Sequence, residues 1–219
     1  ISSLADFALS AWGFADIFTG EIKIQPQWDY AGPFYGKYAH VAINVQVDTS
    51  YTDTQPLISE GGKHGYIDSN GNVVIPIKYE DADDISEVEF YHNQTYRFSV
   101  KQNGKWGIID CLDNILIPFK FDFIKSGMCS GLFITGIGNC PEIKYGVYTR
   151  DYNELIPPVL DQPPKLIQHA KESYPKSISY YFIKKGRKFG VLSSDGRMIS
   201  DITLLKRETV ALIKRLSGF

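Results

Sequence analysis

The sequence predicts a mainly β fold, an array of antiparallel β-hairpin or meander repeats that ends in a short C-terminal helix. Three observations lead to this prediction: a motif that occurs five times, turn signatures at fixed places around each copy, and a helical period near the C-terminus. Short strands repeated about every forty residues fit an open, solenoid-like array and a closed, propeller-like array equally well.

The repeated motif is an aromatic residue or His followed by Gly, two further residues and a turn-forming side chain. Its five copies begin at Trp12-Gly13, His64-Gly65, Trp106-Gly107, Tyr145-Gly146 and Phe189-Gly190. One such unit is too small to bury its own apolar face, so neighbouring units must share a core. We therefore expect these positions to be structural, with the aromatic side chains inside the core and each Gly at a bulge or a close backbone approach.

Turn-forming residues flank the copies of the motif. Gly61-Gly62, Asn103-Gly104 and Gly186-Arg187 predict tight hairpin turns before the motif strand. The residue four places after the aromatic can accept a backbone N–H two residues on, which starts a second turn; these residues are Asp16, Asp68, Asp110, Thr149 and Ser193. Proline cannot donate to a ladder, so three prolines are expected to end a strand or lie on an edge: Pro76, Pro118 and Pro157.

The pattern divides the chain, taken as one β-repeat domain over residues 1–219, into five units. Their bounds are 12–47, 57–90, 96–126, 132–162 and 180–201. Four units also share a large apolar residue followed by an acid, at Trp28-Asp29, Tyr79-Glu80, Phe121-Asp122 and Leu160-Asp161. The fifth unit is degenerate, as terminal repeats often are, with Asp201 in place of the proline.

A change of hydrophobic period marks residues 202–216, the predicted C-terminal cap. Ile202, Leu205, Thr209, Leu212 and Leu216 lie on one stripe of a helix, with the basic residues mostly off it. We expect a terminal helix that covers the last hairpin, because an open array otherwise exposes a sheet edge. The alternative is a basic amphipathic helix that contacts a membrane or a partner.

The third copy of the motif resembles a known family. Gly104-Lys105-Trp106-Gly107-Ile108-Ile109-Asp110, followed by Ile115-Leu116-Ile117-Pro118 and Phe121-Asp122, resembles the bacterial WG repeat, also called KWG. The resemblance extends from Trp12 to Ser200. It implies a β-rich repeat domain, usually from bacteria and often attached to other modules, with a binding or scaffolding role. It implies no catalytic residues.

Composition gives limits on compartment and class. With 43% hydrophobic residues the 219-residue chain can build a core, and it has no apolar run of the roughly 20 residues that a membrane helix needs. Three cysteines without paired spacing favour a reduced compartment such as the cytoplasm, although a bridge between Cys129 and Cys140 is an alternative. Because the chain begins at Ile1 without Met or a signal pattern, we expect a trimmed fragment and leave its compartment open.

The patterns in the chain that suggest an enzyme, a metal site or a cofactor site are weak. Gly127-Met128-Cys129-Ser130-Gly131 has the form of a nucleophile elbow with Cys in place of Ser, but a strand is predicted after it where that motif requires a helix. Zinc-ligand spacing and a calcium loop are missing, and the acidic run 80–84 is interpreted as a solvated connector. The basic run 184–188 is interpreted as a lysine-rich hairpin, and a pI near 6.1 argues against nucleic acid. We expect no catalysis, no metal and no cofactor.

The segments that differ most between units are the expected place of any specific binding. They are the connectors 47–56, 86–95, 125–141 and 163–178. We expect a non-catalytic protein-interaction or scaffolding module whose partner is another protein. The alternative is a carbohydrate-binding or cell-envelope module that uses exposed aromatic rings as stacking platforms, since the chain holds 14 Tyr.

Charge is distributed unevenly along the chain. Residues 1–96 carry a net charge of −10 and residues 97–219 a net charge of +8. An array folded in sequence order would then be acidic at one end and basic at the other. This predicts weak head-to-tail self-association or a charged partner, and the alternative is drift of solvated surface charge among the repeats.

Overall fold

The computed structural model describes residues 2–6, 11–48, 57–83, 96–126, 132–168 and 178–216. In this part of the chain antiparallel strands dominate and one helix follows the last strand, which confirms the predicted fold class. The chain divides into two compact units, Ile1–Phe119 and Lys120–Phe219. The prediction of one continuous domain, with the repeat bounds given above, stays a prediction.

The described part of the first unit contains three larger sheets, one for each of the first three motif copies, and one two-stranded sheet. Sheet A consists of β1 (Ser2–Asp6), β2 (Ala11–Ala15) and β3 (Ile22–Trp28). The chain continues through β4 (Tyr30–Ala31), β5 (Tyr38–Ile43), the short ladder of β6 (Gln46–Asp48) and β7 (Leu57–Glu60), β8 (Lys63–Asp68) and β9 (Val73–Tyr79). Strands β4, β5, β8 and β9 form sheet B. Sheet C consists of β10 (Asp81–Ala82), β11 (Arg97–Gln102), β12 (Lys105–Asp110) and β13 (Ile115–Phe121).

The second unit contains two sheets and the helix. Sheet D consists of β14 (Phe123–Ser126), β15 (Phe133–Ile137), β16 (Lys144–Tyr148) and β17 (Glu154–Leu160). Sheet E consists of β18 (Lys165–Gln168), β19 (Tyr180–Lys185), β20 (Lys188–Ser193) and β21 (Met198–Leu204). Helix α1 (Lys206–Leu216) follows directly. None of these sheets closes into a barrel within the described residues.

The motif strand lies next to the last strand of each sheet, and that last strand carries a bulge. In sheet B, His64 pairs with Tyr79 while Tyr66 pairs with Ile75. A step of two residues along β8 therefore corresponds to a step of four residues along β9. The same offset occurs between β2 and β3, β16 and β17, and β20 and β21. Pro76 lies within this bulge on the edge strand, and the strand continues past it to Tyr79.

The apolar core of the first unit lies between successive sheets. Phe14 of β2 and Ile67 of β8 belong to one buried cluster, which joins sheet A to sheet B. Tyr66 of β8 and Ile109 of β12 belong to a second cluster, which joins sheet B to sheet C. Successive side chains of a strand point to opposite faces, so β8 is buried on both faces. Tyr66 and Ile67 accordingly have no exposed surface.

The core of the second unit repeats this arrangement. Val147 of β16 and Leu192 of β20 belong to one buried cluster, which joins sheet D to sheet E. In all three clusters the residue two places after the motif aromatic packs toward the following sheet. The residue three places after the aromatic packs toward the preceding sheet. Two consecutive positions of the motif therefore build the core.

The aromatic position of the motif differs from the expectation. Only His64 is buried there, while Trp12, Trp106, Tyr145 and Phe189 are partly exposed. Trp12 and Tyr145 still pack against the buried clusters, so the expectation that the repeated aromatic side chains lie in the core is met fully at His64 and in part at these two positions. The two residues after Gly supply the fully buried part of the core.

Two of the three predicted hairpin turns are confirmed. The chain reverses at Asn103-Gly104, between β11 and β12, and at Gly186-Arg187, between β19 and β20. The turn predicted at Gly61-Gly62 is wrong, because Ile43 pairs with Lys63 and Gln46 pairs with Glu60, so the two glycines interrupt a continuous antiparallel ladder and do not reverse the chain. Asn103 and Gly104 have φ angles of 53° and 71°, which is the positive pair that a two-residue type I′ hairpin turn requires.

The predicted terminal helix is confirmed, but its predicted start is wrong. Ile202 lies in β21, where it packs against the core between sheets D and E. The strand lasts until Leu204 because Leu204 still pairs with Phe189. The helix begins at Lys206, where Glu208 Oε2 accepts the backbone N–H of Leu205 at 2.7 Å and satisfies a donor at the helix entry.

Candidate functional site

The motif glycines lie where the bulge of the last strand crosses the motif strand. A Cβ at Gly65 would be 2.6 Å from the carbonyl oxygen of Ile75 and 2.9 Å from the backbone N of Ile77. A Cβ at Gly13 would be 2.5 Å from the carbonyl oxygen of Ile24. No side chain fits this space, so Gly is needed because of close backbone approach.

The acid that ends the motif is a turn device. Asp68 Oδ1 accepts the backbone N–H groups of Asn70 and Asn72, both at 2.9 Å, and Asp110 Oδ1 does the same for Leu112 and Asn114. The side-chain amide of Asn72 donates to Asp68 Oδ2, and this hydrogen bond is the main cause that lowers the pKa of Asp68. These carboxylate oxygens are therefore used by the hydrogen bonds of their own turns.

The acid after the last strand holds the first hairpin turn of the next sheet. The two carboxylate oxygens of Glu80 accept the backbone N–H groups of Asn103 and Gly104, at 2.9 and 2.7 Å. Asp122 accepts the N–H of Gly138 in the same way, at 2.7 Å, and Asp161 accepts that of Gly186. The apolar-acid pair in the sequence was the only signal of this clamp, and its role required the fold.

A pair of histidines is buried in sheet B. His40 Nε2 lies 3.0 Å from His64 Nδ1, and the rings stack with centroids 5.2 Å apart. His64 Nε2 also lies 3.2 Å from the carbonyl oxygen of Gly61. Burial, and secondarily the neighbouring His40, lowers the pKa of His64, although Gly61 and Asp81 act in the opposite direction. The sequence placed these two histidines 24 residues apart, and only strand pairing brings them together.

The stability of the protein is expected to fall between about pH 7 and pH 5 because of His64. A lowered folded-state pKa means that the unfolded chain takes up a proton first, near its ordinary value of 6.5. Each unit of that lowering removes about 1.4 kcal/mol below the folded-state pKa. Chemical denaturation at several pH values measures this slope. His64→Gln should flatten the slope in this window, and an unchanged slope would contradict the assignment.

A basic, aromatic cavity of about 500 Å³ opens on sheet E. Its lining consists of Gln162, Pro163, Lys165, Leu166, Phe182, Lys184, Phe189 and Lys206. The rings of Phe182 and Phe189 meet edge to face, with centroids 6.2 Å apart. Phe189 is the aromatic of the fifth motif, and here it lies in a concave surface. We name this site the basic cavity.

Strand pairing explains why these side chains converge. Lys184 pairs with Phe189 and Phe182 pairs with Val191, so all four lie on one face of sheet E. Lys165 pairs with Phe182 and joins the same face from β18. Leu192 and Ile183 lie on the opposite face, in the core shared with sheet D. The basic cavity therefore belongs to the outer face of sheet E.

Helix α1 covers only part of this outer face. It packs on β20, Thr209 is fully buried, and Val191 beneath has no exposed surface. Phe182 and Phe189 remain partly exposed. An 11-residue helix is about 16 Å long, so it covers one band of a four-stranded sheet and leaves the rest open.

Only some of the segments singled out in the sequence contribute residues to the basic cavity. The basic run 184–188 divides between two faces, because Lys184 lines the cavity while Lys185 pairs with Lys188 on the other face. Connector 163–178 contributes Pro163, Lys165 and Leu166. Connector 86–95 lies outside the described residues, as do Cys129 and most of connector 47–56. Cys111 and Cys140 are free thiols.

No group of three or more His, Cys, Asp or Glu residues in the described part of the chain is arranged to hold a metal ion. The helix found among these residues is too short and too polar to cross a membrane.

Comparison with known proteins adds one match. A family model described as WG containing repeat matches residues 12–44, 65–106 and 106–126. Neither curated proteins nor solved structures gave a significant match. The fourth and fifth motif copies lie outside the matched residues, yet sheets D and E show the same bulge offset as sheets A and B.

Proposed function

Because the chain belongs to the WG-containing repeat family, we propose that it is a non-catalytic module that binds another protein. The positions shared by the repeats have structural tasks: the two residues after Gly build the core, Gly admits the bulge, and the acids hold turns. A role that requires reactive groups has little support from such positions. Binding then depends on surface that differs from sheet to sheet.

The basic cavity is the observation that carries this proposal. It combines two aromatic rings, which offer a large contact area at low entropic cost, with three lysine ammonium groups. Partly buried aromatic and apolar side chains with a charged rim are typical of protein-binding surfaces. Sheet E is also the last sheet of the second unit, so its outer face is not needed for packing against a further sheet of the described residues.

A carbohydrate-binding role is the competing proposal. Half-buried rings such as Phe189 and Tyr145 leave some ring surface that a sugar could stack on. A sugar site also needs placed polar groups that orient the hydroxyls. Gln162 is the one neutral polar side chain in the lining of the basic cavity, whereas three lysines and two phenylalanines dominate it. This composition favours a protein ligand.

Site-specific photocrosslinking tests the proposal. A photoreactive residue replaces Gln162, an exposed residue of the cavity lining, and in a control it replaces Leu112, which is 77% exposed in a turn of the first unit. We expect protein adducts from a lysate of the source cells only at position 162, and no competition by a glycan mixture. Equal adducts at both positions, or loss of the adduct with glycans, would overturn the proposal.

A further inference from the structure

The outer face of sheet E corresponds to a face that another sheet covers elsewhere. Phe14 of sheet A is covered by sheet B, Tyr66 of sheet B by sheet C, and Val147 of sheet D by sheet E. On sheet E the equivalent residue, Val191, is buried where α1 packs. The remainder of that face is the basic cavity. It therefore lies where the other sheets contact the next sheet, and no sheet of the described residues covers it.

The three lysines of the basic cavity differ in their ion pairing from several other lysines of the chain. Lys78, Lys120 and Lys144 form ion pairs with Asp113, Glu154 and Asp161. Within the described residues Lys165, Lys184 and Lys206 have no ion-pair partner within 4.0 Å. Glu208 lies nearby in sequence but is used by the backbone N–H of Leu205. The cavity thus carries three lysine charges without an ion-pair partner around two aromatic rings, although Lys184, together with the main partner Lys144, helps to lower the pKa of Asp161.

The sequence of the chain contains a segment of complementary chemistry. Residues 84–91 read Asp-Ile-Ser-Glu-Val-Glu-Phe-Tyr, with three acids, no base and four large apolar residues. The acids can meet the three lysines, and the apolar side chains can contact Phe182 and Phe189. The segment also lies in the half of the chain whose net charge is −10, while the cavity lies in the half whose net charge is +8.

We propose, building on the protein-binding function above, that the basic cavity binds the acidic segment 84–91 of a second copy of the chain. The interface would be heterologous, because the cavity of one molecule contacts a different segment of the next molecule. Such an interface links molecules head to tail. The contact is small and its charges are partly exposed, so it is weak and sensitive to salt. Nucleic acid fits less well, because the whole chain has a net charge of −2 and a pI near 6.1.

A peptide titration tests the chemistry of the cavity. A fluorescent peptide of residues 84–91 is titrated with the full chain, and its anisotropy is measured. Lys165→Gln with Lys184→Gln should weaken binding about tenfold, through loss of two charge contacts. Lys185→Gln with Lys188→Gln removes the same charge from the opposite face of the hairpin, and it should change binding less than about twofold.

Other ligands distinguish this inference from its alternatives. A peptide with Asn and Gln in place of the three acids should bind at least about tenfold more weakly. Equal binding of this neutral peptide would overturn the acidic-ligand inference while leaving a protein-binding cavity in place. A single-stranded oligonucleotide that competes better than the acidic peptide would overturn both the inference and the proposed function.

Light scattering tests whether the acidic segment that the cavity binds belongs to a second copy of the chain. The mean mass should rise with concentration at low salt and return to the monomer near about 0.5 M salt. Asp84→Asn with Glu87→Gln and Glu89→Gln should abolish the rise, as should the Lys165/Lys184 pair, whereas the Lys185/Lys188 pair should keep it. A monomer at every concentration would overturn self-association even if the peptide binds, and the proposed function would then stand with a foreign acidic partner.

Discussion

Gly65→Ala is expected to destabilise the protein by about 3 kcal/mol or more. The added Cβ would meet the carbonyl oxygen of Ile75 at 2.6 Å and the backbone of Ile77 at 2.9 Å. These are main-chain atoms of the bulge, so no side-chain rotation relieves the clash and the edge strand must move. Urea or thermal unfolding of the variant measures the loss in free energy of unfolding.

Two further glycines provide controls for Gly65. Gly104 has no atom within 4 Å of its ideal Cβ and a φ of +71°, so Gly104→Ala should cost only about 1 kcal/mol, from backbone strain. At Gly107 an added Cβ would meet the ring of Phe119 at 2.8 Å, which can rotate, and the carbonyl oxygen of Ile117 at 2.9 Å, which cannot, so the loss for Gly107→Ala should lie between those for Gly104→Ala and Gly65→Ala. Equal losses at Gly65 and Gly104 would show that the bulge does not restrict the motif glycine.

Ile109→Ala is expected to cost about 3 kcal/mol, and Trp106→Ala in the same strand about 1 kcal/mol. Ile109 is fully buried in the cluster between sheets B and C, so its truncation leaves a cavity there. Trp106 is larger but partly exposed beside the hairpin turn. Although the sequence alone assigns the larger loss to the aromatic residue, burial reverses the order.

Thermal unfolding of the two variants, monitored by circular dichroism, decides this order. Each should keep the β-sheet spectrum of the wild type below its transition, so that the losses refer to the same fold. A larger loss for Trp106→Ala would mean that the aromatic side chain is the main packing element of the repeat. It would also contradict the assignment of the core to the two residues after Gly.

The repeat could be found from the sequence because its signals are local. Asn103-Gly104 favours one turn type through its backbone preferences, and Asp68 and Asp110 start turns with their own side chains. Such interactions act within a few residues, so composition and spacing reveal them. The motif glycine was recognised for the same reason, although the bulge that requires it is an interaction between strands.

The basic cavity could not be derived from the sequence. Its residues come from β18, β19, β20, the start of α1 and the loop after β17, and only strand pairing places Lys165, Lys184 and Phe189 on one face. The run 184–188 appeared as one basic patch in the sequence. The alternation of the strand divides it, so that Lys184 points to the cavity and Lys185 to the other face.

The sequence by itself determined the antiparallel hairpins, the chemistry of turns such as Asn103-Gly104 and the terminal helix, because each depends on short-range preferences and on periodicity. The tertiary structure alone decided which motif residues are buried, which strand carries the bulge, where α1 begins and which lysines lack an acidic partner. These features depend on how sheets stack face to face. Stacking joins side chains such as His40 and His64, or Tyr66 and Ile109, across distances in sequence over which local preferences carry no information.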